Sequence, residues 1–151
     1  MRAIAQASRP RNPVDPSNFV LPAQMQRMVA PDDDLPVRLY RVTFDEGART
    51  HWHVHDDVQL LFGLSGRCIV VDRAGTELFL EPGDVVAIDP GEEHWHGAAA
   101  SSGGEHLAIN TGEVTTWLGL SAEWMHLKPD GLVVTTSRLT SPPHPASPGS
   151  R

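Results

Sequence analysis

Between residues 37 and 110 the chain is a succession of short apolar segments separated by turn residues. The first segment, VRLYRVTF, has the two-residue period of a strand with one buried face, and it places Tyr40, Val42 and Phe44 on the same side. Pro-Gly and Ser-Gly pairs recur between the segments. Since no long segment has the period of a helix, the sequence predicts an all-β sandwich or barrel.

The two ends of the chain differ from this central part. Residues 1–18 contain three prolines among polar residues, and we expect a flexible N-terminal segment there. Residues 129–151 finish with SPPHPASPGSR, which is rich in proline and serine, and we expect that end to be disordered. We therefore assign the barrel and its flanking strands to residues 19–128, with a short helical turn at 121–126.

Composition and charge argue against several classes of function. The chain has 151 residues, which is enough for one domain with a single core. Its formal net charge of −7 disfavours a nucleic-acid-binding surface, which needs a basic face. No apolar run approaches the ~20 residues of a membrane span, and the first residues lack the continuous apolar core of a secretory signal. Because the one cysteine, Cys68, leaves no intrachain disulfide, we expect a cytoplasmic protein without a membrane partner.

Histidine is concentrated in two short runs. The chain has 8 histidines, and the two runs contain His51, His53, His55, His94 and His96. On a strand, residues two apart point to the same side, so His53 and His55 are neighbours. Gln59 follows a bend expected at 56–57 and can return its amide to the same point, while His94 follows a Pro-Gly turn and can approach from a facing strand. Three imidazoles and one neutral oxygen form a suitable site for a divalent transition metal.

The same two runs resemble the motifs of a known family. GARTHWHVHDDVQLLFGLSG at 47–66 is similar to the first cupin motif, and PGDVVAIDPGEEHWHGA at 82–98 is similar to the second. The resemblance implies a cupin β-barrel, a double-stranded β-helix or jelly roll. It also implies that the metal ligands are His53, His55, Gln59 and His94. The spacing from the motif glycines leaves out His51 and His96, which become candidates for the surroundings of the site.

Gln59 departs from the usual cupin pattern, in which the fourth ligand is a glutamate. A carboxamide leaves more of the metal's positive charge uncompensated than a carboxylate does. A more positive ion is a stronger Lewis acid and is harder to oxidise, which favours polarising a substrate or a bound water over activating O₂. We therefore expect a non-redox reaction.

A closer resemblance is to the small single-domain cupins that include the manganese-dependent hydroxynitrile lyases. The stretches GAR, HWHGA and HLAI carry it, and that group also binds its metal through three histidines and one glutamine. The resemblance implies one divalent transition metal per chain, with manganese first and iron, zinc, nickel or cobalt as alternatives. It further implies a homodimer and the cleavage and formation of cyanohydrins, with the metal near the hydroxyl or carbonyl oxygen.

Other candidate residues surround the predicted metal site. In EHLAIN, His106 and Asn110 share one strand face, and if that face points inward, His106 is a suitable general base near neutral pH. Tyr40 and Val42 can line the same chamber, and Tyr40 can donate a proton to a substrate oxygen. The candidate catalytic residues are thus His106, Tyr40 and His96, and the candidate substrate-pocket residues are Val42, Asn110 and His51.

The expected function is that of a metal-dependent lyase acting on a small hydroxyl- or carbonyl-containing molecule, with the metal as Lewis acid and His106 as base. A dioxygenase with the same ligands, a cyclase or isomerase, and a non-catalytic barrel that binds a small ligand are the alternatives, since one fold hosts many chemistries. No nucleic-acid partner is expected. Trp52 and Trp95 are expected to pack outside the chamber.

Overall fold

The computed structural model describes residues 1–118. The last part of the predicted barrel region, the helical turn expected at 121–126 and the predicted tail at 129–151 lie outside the described residues. Within residues 1–118, no helix is long and apolar enough to cross a membrane.

Strands dominate the described chain, together with one turn of 3-10 helix at Pro31–Asp33. The strands are β1 (Asn12–Pro13), β2 (Phe19–Val20), β3 (Ala23–Val29), β4 (Arg38–Phe44), β5 (Arg49–Thr50), β6 (His53–His55), β7 (Gln59–Gly66), β8 (Cys68–Asp72), β9 (Glu77–Leu80), β10 (Val85–Ile88), β11 (His94–Ala98), β12 (Gly104–Asn110) and β13 (Thr115–Trp117). The segment RTHWHV at 49–54 belongs to two strands, because the chain leaves the ladder at 51–52 between β5 and β6.

Two antiparallel sheets face each other. One contains β1, β3, β4, β12, β7 and β10 in that order. The other has the order β13, β6, β11, β5 and β2, and it is extended by β8, which pairs with both β11 and β9. The predicted all-β, jelly-roll architecture is thereby confirmed.

Strand alternation divides the side chains of the second sheet between the barrel interior and its outer surface. On β11, His94 and His96 are buried inside, while Trp95 packs on the outer side. The neighbouring strand β8 is sorted in the same way, with Val70 in an interior cluster and Val71 in the outer one. Successive residues on these strands therefore point alternately into the barrel and toward its outer surface.

Three apolar clusters stabilise the described barrel. Two lie between the sheets, one around Leu61, Val70, Leu80 and Ile88 and one around Val42, Phe44 and Ala98. The third lies on the outer surface of the second sheet and contains Trp52, Ile69 and Val71, with Phe79, Trp95 and Leu118 packed against them. The prediction that Trp52 and Trp95 pack outside the chamber is confirmed.

Two glycines in the second motif allow the backbone to bring the histidine strands together. At Gly97 an added Cβ would lie 2.3 Å from the backbone oxygen of Ala48, so only glycine permits β11 to approach the chain entering β5. Gly91 has a φ of +79°, which glycine adopts without strain. Its N–H donates to the backbone oxygen of His55 at 2.9 Å, which attaches the turn before His94 to the end of β6.

The N-terminal segment also contacts the barrel. β1 pairs with β3, and the backbone oxygen of Asn18 accepts from the N–H of His51 at 2.8 Å. Arg9 forms an ion pair with Asp33 at 2.6 Å. These contacts join residues 1–18, for which the sequence predicts a flexible segment, to the barrel.

Candidate metal centre

Five histidine rings form a continuous group inside the barrel. His53 and His55 come from β6, His94 and His96 from β11, and His106 from the opposite sheet on β12. The ring centroids of His53 and His94 are 4.3 Å apart, those of His53 and His55 are 5.0 Å apart, and those of His96 and His106 are 4.8 Å apart. All five side chains are buried.

Backbone carbonyls fix the tautomers of two of these rings. His53 Nδ1 lies 2.9 Å from the backbone oxygen of His51, and His94 Nδ1 lies 2.8 Å from that of Glu92. Because a carbonyl oxygen only accepts, each Nδ1 carries the proton and donates it. The Nε2 atom of each neutral ring therefore keeps a lone pair that can bind a metal.

Gln59 presents an oxygen to the same point. Its Nε2 donates to Asn110 Oδ1 at 2.9 Å, which turns Gln59 Oε1 toward His94 Nε2 at 3.0 Å. With the proton of His94 on Nδ1, these two facing atoms are both acceptors, and no hydrogen lies between them. A cation shared by the two lone pairs removes that mismatch, so the donor set fits a metal ion.

His55 contributes a third ring to this group. Its Nδ1 lies 3.1 Å from the hydroxyl of Thr115, while its Nε2 is buried and has no hydrogen-bond partner in the described part of the chain. An unpartnered buried nitrogen is costly unless something binds it. The structure thus places the rings of His53, His55 and His94 and the amide of Gln59 next to one another, and their role as the ligand set stays a prediction.

The nitrogens that have the spacing of a metal site in the described residues overlap with this set only in part. One ring nitrogen from each of three buried histidines, His53, His94 and His96, lies within 4.8 Å of the others. The sequence motif leaves His96 out of the ligand set, yet its ring points into the same chamber as His94. His53 and His94 belong to both sets, and the sets differ in His55 and His96.

Burial keeps the imidazoles neutral. It lowers the pKa of His55 to about 4, with nearby His94 and Arg38 adding to the effect. Burial likewise lowers the pKa values of His53 and His96 well below their ordinary value, and it lowers that of His94. At neutral pH the rings therefore keep the lone pairs that metal binding requires.

His106 forms a hydrogen-bonded pair with His96 on the side of the chamber away from Gln59. His106 Nε2 lies 3.0 Å from His96 Nδ1, so one ring donates to the other. Phe44 packs against both rings, with centroid distances of 5.3 Å to His106 and 6.2 Å to His96. Burial lowers the pKa of His106 to about 4, and its Nδ1 has no partner among the described residues.

Comparisons with known proteins agree with this architecture. The family model described as "Cupin domain" matches residues 40–110. An (R)-mandelonitrile lyase from Granulicella tundricola is 42% identical over 92 residues, which are 59% of this chain and 70% of that protein. The chain belongs to the cupin family. Three buried histidines of this cupin are positioned to hold a divalent metal.

Solved structures show the same fold. A cupin-like protein from Thermotoga maritima superposes with a TM-score of 0.67 at 32% identity and covers 71% of this cupin and 84% of that chain. A polyketide cyclase from Streptomyces resistomycificus superposes with a TM-score of 0.65 at 16% identity and covers 81% of this cupin and 88% of that chain. The second likeness extends to the fold alone.

Three of the remaining candidate residues lie in the barrel interior or against it. Val42 is buried opposite His106 in the β4–β12 ladder, and Asn110 is buried against Gln59. Tyr40 is half-buried and packs against both interior clusters.

His51, which the sequence predicts in the substrate pocket, lines a groove on the outer surface of this cupin. The reason is local: β5 ends at Thr50 and β6 begins at His53, so strand alternation does not extend to His51. Only its backbone oxygen, which accepts from His53 Nδ1, contacts the metal centre.

Two further residues, which the sequence does not predict, touch the buried histidine rings. Thr115 contacts His55 Nδ1, and Trp117 packs on His53 with the ring centroids 4.8 Å apart. Both lie on β13, whose register sets Thr115 opposite His55 and Trp117 opposite His53. The alternation of Thr115 and Trp117 around Thr116 was the available signal, but a three-residue strand is too short to recognise by pattern.

Proposed function

We propose that this cupin is a metal-dependent hydroxynitrile lyase that cleaves and forms small cyanohydrins. The observation that carries the proposal is the pairing of two neutral groups, His94 Nε2 and Gln59 Oε1, as facing acceptors 3.0 Å apart. A ligand set without a carboxylate suits an ion that acts as a Lewis acid. The similarity to an (R)-mandelonitrile lyase at 42% identity supports the choice of reaction.

The ligands would be His53, His55, Gln59 and His94, as the family motif implies. Each ring is held through Nδ1, by a backbone oxygen for His53 and His94 and by a hydroxyl for His55. Such outer contacts fix the direction of the metal-binding nitrogen. A bound divalent ion would supply positive charge that stabilises the substrate oxygen as its proton leaves.

His106 and His96 would accept the substrate proton and return it. In cleavage, His106 takes the hydroxyl proton of the cyanohydrin, the carbon–carbon bond breaks, and cyanide leaves with the bonding electron pair. The products are an aldehyde and, once the proton is returned to cyanide, hydrogen cyanide. Because His96 and His106 are hydrogen-bonded at 3.0 Å, the proton can be shared between two rings without a water molecule, and since burial disfavours the charged rings, it is passed on to cyanide rather than kept. Val42 and Tyr40 would shape the space for the substrate's side chain, and Tyr40 could donate to its oxygen.

We further propose manganese as the resident metal, a homodimeric assembly and a cytoplasmic location. The resemblance of the motifs to the manganese-dependent hydroxynitrile lyases supports the first two. The single cysteine, Cys68, is buried and suits a reducing compartment, which supports the third. Elemental analysis of the purified protein and its sedimentation behaviour test the metal and the assembly.

The proposed activity is tested by supplying the manganese-loaded protein with (R)-mandelonitrile and measuring both benzaldehyde and cyanide. We expect equal amounts of the two products, formed faster than in protein-free buffer, with no consumption of O₂. Turnover that requires O₂, or release of the products no faster than in buffer, would show the proposal to be wrong.

His106→Gln separates catalysis from metal binding in the same assay. We expect the variant to keep its metal, because the proposed ligands are untouched, and to lose about 100-fold or more in kcat, the usual size of a general-base effect. Leu107→Ala changes the adjacent, outward-facing residue of β12 and is the matched control. Equal activity of His106→Gln and the unaltered protein would remove His106 from the mechanism.

A further inference from the structure

A groove of about 700 Å³ opens on the outer surface of the second sheet. We call it the outer groove, and its walls include Arg49, His51, Trp52, Ile69, Phe79 and Trp95. Because Trp95 alternates with His94 and His96 on β11, the outer groove and the metal chamber lie on opposite faces of the same strand. Its volume falls within the range of about 300–1,000 Å³ that is typical of small-molecule sites.

Guanidinium groups lie over the aromatic rings of this surface in three places. Their central carbons are 4.7 Å from the ring centroid for Arg49 over Trp95, 3.8 Å for Arg67 over Phe79 and 4.0 Å for Arg73 over Trp52. Such contacts hold the cations in fixed positions on an apolar surface. The groove therefore combines aromatic walls with the cations of Arg49 and Arg67, and its lining also includes the carboxylate of Glu77.

Arg49 differs from the other two arginines in lacking an acidic partner. Arg67 pairs with Glu81 at 2.9 Å, and Arg73 pairs with Glu93 at 2.6 Å. Arg49 has no ion pair with a carboxylate in the described chain. It is half-buried on β5, and burial lowers the pKa of its guanidinium. A desolvated cation without a counter-charge is the group to which an organic anion would bind.

A second polar atom of the same wall is also unpartnered. His51 Nδ1 is buried and makes no hydrogen bond within residues 1–118. Because this atom is buried, the His51 ring would have to turn before Nδ1 could donate to an oxygen near Arg49, which precedes it by two residues. The cation of Arg49 beside aromatic rings, with this second donor behind it, matches a ligand that has an anionic oxygen group at one end and a flat apolar body.

We propose that the outer groove binds a small aromatic carboxylate. The carboxylate would pair with the planar fork of Arg49, and the aromatic body would lie against Trp52, Phe79 and Trp95. A second copy of the chain fits less well, because two copies would bring their Arg49 side chains to one concave surface with like charge. The site is distinct from the metal chamber, and the proposal does not depend on the lyase activity.

Calorimetric titration of the full-length, metal-loaded protein with 2-naphthoate tests the proposal. We expect saturable binding in the millimolar range or tighter, and at least about tenfold weaker binding of the uncharged 2-naphthamide, the size of one charge-assisted hydrogen bond. Arg49→Gln should weaken naphthoate binding by a similar factor. Arg11→Gln, which removes an arginine outside the groove that pairs with Glu105 at 3.1 Å, is the matched control and should change naphthoate binding less than about twofold.

Two further variants keep the outcome unambiguous. Arg49→Lys retains the charge and loses the planar fork, so it should bind naphthoate with intermediate affinity, and it replaces Arg49→Gln if that variant does not fold. His94→Ala should leave the affinity unchanged, since the metal chamber is on the other side of the strand. Affinity that falls in His94→Ala and not in the Arg49 variants would place the probe at the metal and overturn the proposal.

Two other results would also overturn it. The first is the absence of naphthoate binding at millimolar concentrations. The second is a concentration-dependent self-association, seen by sedimentation, that Arg49→Gln abolishes and naphthoate does not affect, because the groove would then be occupied by a second copy.

Discussion

The two faces of strand β11 differ in the charge of the polar groups that lie on them. On the inner face, His94 and His96 are buried, neutral and aligned by hydrogen bonds. On the outer face, Trp95 lies under the charged guanidinium of Arg49. In the interior the imidazoles are neutral, because burial penalises their charged form. On the half-exposed outer surface, Arg49 keeps its full positive charge over the ring of Trp95. The strand therefore separates sites for two kinds of ligand, a cation inside and an anion outside.

The largest test of this division is His94→Ala compared with Trp95→Phe. His94 belongs to both candidate ligand sets, so its loss should remove bound metal and lower cyanohydrin cleavage by about 1,000-fold or more. Trp95→Phe changes the adjacent residue on the outer face and should keep full metal content. Elemental analysis and the cleavage assay measure both effects. A His94→Ala protein that retains its metal would refute the site itself.

Acid should destabilise the metal-free protein through the inner face. The pKa of His106 is lowered to about 4 by burial, whereas an unfolded histidine titrates near about 6.5. Between these values the unfolded state binds more protons, so the free energy of unfolding falls as the pH drops from 6.5 toward 4. At about 1.4 kcal/mol per pKa unit, His106 alone contributes on the order of 3 kcal/mol at neutral pH that is lost in this window.

Urea unfolding of the metal-free protein at pH 7 and pH 4.5 measures the loss. His106→Gln should show a smaller difference between the two pH values than the unaltered protein. Arg49→Gln, on the outer face, should keep the full difference, because an arginine stays charged throughout this range. A pH dependence that is the same in His106→Gln and the unaltered protein would contradict the assignment.

His55→Ala and His96→Ala sharpen the description of the inner face. If the family motif is correct, His55→Ala weakens metal binding by about 10- to 100-fold. His96→Ala then keeps its metal and loses turnover, because the partner of His106 is removed. Titration of both variants with the metal measures their metal affinities. If His96→Ala binds the metal more weakly than His55→Ala does, the third imidazole ligand is His96.

Most of the fold could be predicted because its signals are local. Alternating apolar residues and turn glycines predict most of the strands from 37 to 110 but not the break between β5 and β6, and the inward direction of His53 and His55 follows from a period of two. The position of His51 does not follow from that period, since alternation does not hold where the chain leaves a ladder between two short strands.

The parts of the site that could not be predicted depend on register between distant strands. His94 and His96 both point inward, and spacing along β11 does not give the distance from either ring to His53. The contact of Thr115 with His55 depends on the pairing of β13 with β6. The outer groove is formed by strands and loops far apart in sequence, so Arg49 has no feature in the sequence that marks it as unpaired.

The amide of Asn110 has a consequence for how this site can change over time. Its oxygen now accepts from Gln59 Nε2, but an amide rotated by half a turn presents its NH₂ group at the same place. A glutamate at position 59 would then find a donor where the glutamine finds an acceptor. In the proposed metal site, a single substitution at position 59 would thus exchange a neutral group for an anionic one and still leave it a hydrogen bond to Asn110.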